Sequence, residues 1–149
     1  MRVFVLALMV LSMAGCPISG DTYSALFDRV NAGDVDAVRK IIDAHPNVKD
    51  EYLNDGWTAL TISARNGNAD VTTMLIEQGA DVNRLEGGGN SPLFWAVYYE
   101  HIDVVNILLR AGAEVHKKCG ECEDPVSVGR RNGNEKILRL LLEADESRK

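Results

Sequence analysis

Residues 55–83, DGWTALTISARNGNADVTTMLIEQGADVN, contain a glycine turn, two short amphipathic segments with helical spacing and a closing glycine. The same pattern returns further along the chain. Residues 58–60 (TAL) align with residues 91–93 (SPL), and residues 79–82 (GADV) align with residues 112–115 (GAEV), both at a spacing of 33 residues. A fixed period of this size predicts stacked repeats, in which each copy buries its apolar face against its neighbours.

The repeated unit resembles the ankyrin repeat, whose signature is a Thr-Pro-Leu-His-x-Ala turn and helix, a glycine, and a Val-x-x-Leu-Leu helix that ends in Gly-Ala. The resemblance implies an all-α solenoid of about four helix-turn-helix copies joined by short β-hairpin-like turns. The signature His is replaced by Thr61 in one copy and by Phe94 in the next, so we expect a less regular and less stable array. The copies span about residues 23–50, 55–83, 88–116 and 122–145.

The two outer copies are degenerate but keep the period. Residues 33–34 (GD) align with residues 67–68 (GN) at a spacing of 34, and residues 131–134 (RNGN) repeat residues 65–68 at 66, which is twice 33. Terminal copies must differ from internal ones because one of their faces meets water. We therefore interpret the charged tail, residues 143–149, as a solvated cap.

The whole-chain composition is that of one compact globular domain. The chain has 149 residues, of which 46% are hydrophobic and 26% charged. Its formal charge is −6, which argues against a nucleic-acid partner because binding to a phosphate backbone depends on clustered Lys and Arg.

The N-terminus predicts export. A basic residue and an apolar run too short to span a bilayer, which needs about 20 residues, indicate a signal peptide over residues 1–15. Ala14 and Gly15 before Cys16 resemble the lipobox of bacterial lipoproteins, in which the signal is cut before the Cys and its thiol carries a diacylglyceryl group. The resemblance implies lipidation of Cys16, a tether over residues 16–22, and a repeat domain over residues 23–149 in the periplasm, anchored to the outer membrane. The alternative is a plain signal peptide that ends near a Cys.

Cys119 and Cys122 form the one local motif with chemical potential. In an exported protein the pair predicts a disulfide across the hairpin between copies three and four, with free thiols, a metal site or a redox pair as alternatives. The three histidines are too scattered for a metal cluster, and we interpret His101 as structural. The given sequence contains no Gly-x-Ser-x-Gly, His-Glu-x-x-His or nucleotide-binding motif. The glycines at 87–89 lack the context of a phosphate-binding loop and predict a flexible hairpin tip. We expect no enzymatic activity and no cofactor.

The ankyrin resemblance implies that partners bind to the hairpin tips and the exposed ends of the first helices, which line up on one concave side. Trp, Tyr and Arg most often dominate the binding energy of such interfaces. The main alternative for the aromatic residues is a structural role, with burial against the adjacent copy. The predicted protein-binding residues are Trp57, Arg65, Asn66, Asn90, Tyr98, Tyr99, Arg131 and Asn132.

The favoured function is a monomeric protein-interaction module of the bacterial envelope. Two other hypotheses follow from particular features of the chain. Its acidity suits an immunity-type inhibitor of a basic toxin or enzyme in the same compartment. The Cys119 and Cys122 pair suits an accessory of redox or oxidative-stress defence.

Overall fold

The computed structural model describes residues 19–118 and 122–147. Within these ranges the chain forms four pairs of antiparallel helices, one pair for each predicted copy, which confirms the all-α repeat fold. The only β pairing in the described ranges is an isolated bridge between Asn90 and Lys118, and two short 3₁₀ helices, Pro46–Asp50 and Asn54–Gly56, connect the first two copies. The helices are α1 (Gly20–Ala32), α2 (Val35–Ala44), α3 (Ala59–Asn66), α4 (Ala69–Glu77), α5 (Pro92–Tyr98), α6 (Ile102–Arg110), α7 (Pro125–Asn132) and α8 (Glu135–Glu146).

The helices stack in two layers. The first helices of the copies, α1, α3, α5 and α7, pack side by side, and the second helices, α2, α4, α6 and α8, form the other layer. The core comes from positions that recur every 33 residues in copies two to four, because equivalent residues of each copy face the same neighbours. Fully burying one such aliphatic side chain stabilises the fold by about 1.5–3 kcal/mol. These buried sets are Leu60, Leu93 and Val126; Val71, Val104 and Ile137; and Leu75, Leu108 and Leu141.

A polar cap starts the first helix of copies two to four. Thr58, Ser91 and Asp124 stand at the N-cap positions, and each side chain accepts a hydrogen bond from the backbone N–H three residues later. In copy two Thr61, which replaces the signature His, accepts a hydrogen bond from the N–H of Thr58 at 2.9 Å and closes a capping box. In copy three Phe94 stands at the same position and is buried. The two replacements therefore have separate structural roles.

A buried carboxylate fixes the glycine-rich tip between copies two and three. Glu86 is 7% exposed, and its carboxylate accepts hydrogen bonds from the N–H of Gly88 at 2.5 Å, the N–H of Asn90 at 3.0 Å and the side-chain amide of Asn90 at 2.8 Å. The N–H of Gly87 donates to the carbonyl oxygen of Gly56 in the preceding tip at 2.9 Å. These hydrogen bonds close the segment into a turn, and the flexibility that its three glycines predict stays a prediction.

The N-terminal boundary of the helical domain also differs from the prediction. Helix α1 begins at Gly20, so residues 20–22 of the predicted tether are helical. The predicted signal peptide, Cys16 and Cys119 lie outside the described residues, so the lipid anchor and the disulfide to Cys122 remain predictions. None of the described helices is long and apolar enough to cross a membrane.

Candidate interaction surface

Five aromatic side chains form one connected group, which we call the aromatic cluster: Trp57, Phe94, Trp95, Tyr98 and Tyr99. Trp57 directly precedes the cap of α3, and the other four lie on or just after α5, where side chains four positions apart share one helix face. The ring centroids of Trp57 and Trp95 are 5.0 Å apart, and those of Tyr98 and Tyr99 are 5.1 Å apart. Trp95 also stacks on Tyr99 at 6.1 Å with an interplanar angle of 18°. These spacings are the ones that aromatic pairs prefer.

The side chains of the aromatic cluster range from buried to exposed. Phe94 is buried, Trp57 and Trp95 are half-buried, and Tyr98 and Tyr99 are each 45% exposed. The indole N–H of Trp95 is buried and has no hydrogen-bond partner among the described residues. Burial against the adjacent copy therefore accounts for part of Trp57 but leaves much of both tyrosine side chains in water.

Two arginines lie at opposite ends of the cluster. The guanidinium of Arg65 is 5.1 Å from the Trp57 ring centroid, and that of Arg131 is 5.9 Å from the Tyr98 ring centroid. Both distances fall within the range of cation–π attraction. Arg131 also pairs with Glu123 at 2.6 Å. Residues predicted for binding on three different copies thus converge on one surface.

The three predicted asparagines already donate hydrogen bonds inside the chain. The amide of Asn66 donates to Asn31 at 2.9 Å, and that of Asn132 donates to the carbonyl oxygens of Val97 and Tyr98, each at 3.3 Å. The amide of Asn90 donates to Glu86, as described above. Asn66 and Asn132 therefore tie each copy to the one before it, and partner binding by the three amides stays a prediction.

His101 joins copies two and three behind the cluster. Its Nε2 donates to the carbonyl oxygen of Arg65 at 2.9 Å, and its ring stacks on Tyr99 with centroids 6.2 Å apart. These contacts agree with the structural role that we assigned to His101. Trp95 is not among the residues that the sequence predicts for binding. Its spacing of three and four residues from Tyr98 and Tyr99 was the available signal.

A separate polar group, formed by His116, Asp124 and Asp145, joins copies three and four. His116 Nδ1 is 2.9 Å from Asp124 and Nε2 is 3.5 Å from Asp145. Partial burial raises the pKa of Asp124, but hydrogen bonds from His116 and Ser127, together with the charge of His116, outweigh it and hold the pKa below its ordinary value. Among the described residues no group of three or more His, Cys, Asp or Glu side chains is arranged to hold a metal ion.

Comparisons with known proteins match the repeat region. The family model for ankyrin repeats (3 copies) matches residues 26–119. A segment of 96 residues is 34% identical to the ankyrin repeat domain-containing protein SAT10 of Stachybotrys chartarum and covers 63% of this chain and 5% of that protein. Serine/threonine-protein kinase 12 of Arabidopsis thaliana is 32% identical over 84 residues, which are 56% of this chain and 18% of the kinase.

A bacterial relative shows the same pattern of coverage. A putative ankyrin repeat protein of Borreliella burgdorferi is 27% identical over 82 residues, or 55% of this chain and 37% of that protein. The matched segments thus span well under half of these curated relatives. The family model covers three of the four helix pairs, and copy four continues the same stack. The repeated core and the family match together show that the chain belongs to the ankyrin-repeat family, a generic protein-interaction module that is typically not catalytic.

Proposed function

We propose that this chain binds a protein partner in the bacterial envelope through the aromatic cluster and its two flanking arginines. The supporting observation is the exposure of Tyr98 and Tyr99 above half-buried Trp57 and Trp95, on the side of the stack formed by the first helices. Tyr, Trp and Arg are the residues that most often dominate binding energy. Rings held by their neighbours also lose little conformational freedom when a partner binds.

Affinity capture with variants tests this proposal. The mature chain, residues 16–149, is immobilised and exposed to an envelope extract of the source cells. We compare wild type with Trp57→Ala and with the double variant Tyr98→Ala/Tyr99→Ala. A specific partner captured by wild type should be lost or strongly reduced with both variants, because truncating a hot-spot residue costs about 2 kcal/mol or more, roughly a 30-fold loss of affinity.

A matched apolar truncation on the other helix layer controls for general effects of lost surface. Leu142 is 39% exposed and lies on α8, away from the cluster. Leu142→Ala should capture the same partner as wild type. If all variants capture identical proteins, the aromatic cluster is not the binding surface.

The location of the protein is a separate part of the proposal. Ala14 and Gly15 before Cys16 support export and a lipid anchor. A protein with a diacyl anchor stays on the membrane, since two chains give stable attachment. Expressed as the full chain, wild type should incorporate labelled palmitate and sediment with membranes, and Cys16→Ala should lose the label. An unlabelled wild type would leave a plain signal peptide as the explanation.

A further inference from the structure

The second inference concerns the chemistry of the partner. We propose that Arg65 and the aromatic cluster bind a short acidic segment of a protein, in which an Asp or Glu stands next to an aromatic or aliphatic residue. This inference rests on the proposed function, because it specifies what the same surface recognises.

The first observation is the unneutralised charge of Arg65. Its side chain is exposed beside Trp57, and among the described residues no carboxylate lies within 4.0 Å of its guanidinium. Arg131, at the other end of the cluster, is already paired with Glu123. The planar guanidinium of Arg65 therefore keeps its N–H groups for an incoming carboxylate, to which arginine binds through two parallel hydrogen bonds.

The second observation is the apolar surface next to that charge. Trp57 contacts Trp95, and Trp95 contacts Tyr99, so a continuous path of rings leads from Arg65 to side chains that are 45% exposed. A segment that places its carboxylate on Arg65 brings its neighbouring side chain onto these rings. Covering the rings excludes water from the ion pair, which makes the charge interaction stronger than it is at an open surface.

The net charge of the protein makes this site selective. The chain carries a formal charge of −6, so it repels acidic chains in general and attracts them only where a cation lacks a local counter-ion. Complementary charges at an interface set specificity more than raw affinity. Among the described residues, Arg65 is the one guanidinium at the aromatic cluster without a salt bridge, so this surface suits one carboxylate with an apolar neighbour better than a polyanion.

A displayed library of random dodecapeptides, selected on the full mature chain, tests the inference. Wild type should enrich peptides with Asp or Glu beside an aromatic or aliphatic residue. Arg65→Gln should weaken binding of a selected peptide by about 10-fold or more, and Arg65→Glu should change the enriched charge from acidic to Lys or Arg. Arg110→Glu, at an exposed position on α6, is the matched control and should enrich the same peptides as wild type.

The outcomes separate the inference from the proposed function. If enrichment requires Trp57 but has the same charge pattern in wild type and Arg65→Glu, the acidic-segment inference is wrong and the binding surface stands. If the enriched peptides bind Trp57→Ala, Arg65→Gln and wild type equally, both proposals fail. A library that yields no enriched peptide on wild type also overturns the acidic-segment inference.

Discussion

Gly67→Ala should be far more destabilising than the same change at the equivalent glycine of another copy. Gly67 ends α3 with a φ of +73°, and Gly133 ends α7 with a φ of +71°. Among the described residues that are not its chain neighbours, none would have an atom within 4 Å of a Cβ at Gly133, whereas a Cβ at Gly67 would stand 2.6 Å from His101 Nδ1 and 2.9 Å from its Cγ. The two positions therefore share the backbone cost of a non-glycine residue but differ in the steric cost.

The expected free energies of unfolding follow from these two costs. A left-handed conformation costs a non-glycine residue about 1–2 kcal/mol. Alanine also lowers the entropy of the unfolded chain, which offsets part of this cost. We therefore expect Gly133→Ala to lower the free energy of unfolding by about 1 kcal/mol. At Gly67 the His101 ring must also move, which breaks its hydrogen bond to the Arg65 carbonyl, worth about 0.5–1.5 kcal/mol. Gly67→Ala should thus lose about 1.5–2.5 kcal/mol in total.

Urea unfolding followed by circular dichroism measures both variants, and His101→Ala completes a double-mutant cycle. Once the ring is absent, Gly67→Ala should cost only about 1 kcal/mol, so the coupling energy between positions 67 and 101 should be about 0.5–1.5 kcal/mol. Gly33→Ala provides a second control in the first copy, where the nearest side-chain atom would be 3.5 Å away. Equal losses at Gly67 and Gly133, or zero coupling to His101, would refute the steric argument.

Three further changes test other contacts. Glu86→Ala should lower the free energy of unfolding by about 1–3 kcal/mol and speed amide exchange at Gly88 and Asn90, since it removes a buried acceptor; unchanged exchange would contradict this. Asp124→Asn keeps a capping oxygen but removes the charge whose pKa is lowered. Above the ordinary Asp pKa of about 3.9, Asp124→Asn should be less stable than wild type, and this difference should vanish as the pH falls through the lower folded-state pKa of Asp124. A difference that persists at acid pH would exclude the charge as its source. Glu100→Gly should raise the free energy of unfolding by about 0.5–1 kcal/mol in the same urea assay, because Glu100 has a φ of +60° where other copies have glycine; a loss would show that its bond from Asn134 matters more.

The fold was predictable because each copy repeats its own local pattern. Leu60, Leu93 and Val126 recur at one period and are all buried, and a repeat that cannot bury its apolar face alone must stack on its neighbours. The hydrogen-bonded turn at Glu86 was not predictable in the same way. Three glycines in sequence indicate backbone freedom, and only the folded chain shows that a carboxylate on an adjacent residue satisfies the N–H groups of the turn.

The candidate surface was predictable in part. The structure brings Trp57, Arg65 and the two tyrosines together because they occupy the same side of successive first helices. Trp95 was not among the predicted binding residues, since an aromatic residue within an apolar helix usually packs inward. Its ring is large enough to reach from the core edge to Tyr99, so a single side chain belongs to both environments. Periodicity assigns a helix position to one face and cannot show such a side chain.

Substitutions in the scaffold should change both stability and binding, whereas substitutions at the candidate surface should change binding alone. In a solenoid each copy contacts only its neighbours, so moving α3 relative to α5 would also separate Trp57 from Trp95. A scaffold change such as Gly67→Ala should therefore lower both stability and peptide affinity. Arg65→Gln should lower affinity alone, because its guanidinium is exposed and its backbone carbonyl still accepts from His101. If Arg65→Gln also destabilised the fold by more than about 0.5 kcal/mol, beyond the usual range for an exposed position, its contact with Trp57 would be part of the scaffold instead of a site held ready for a partner.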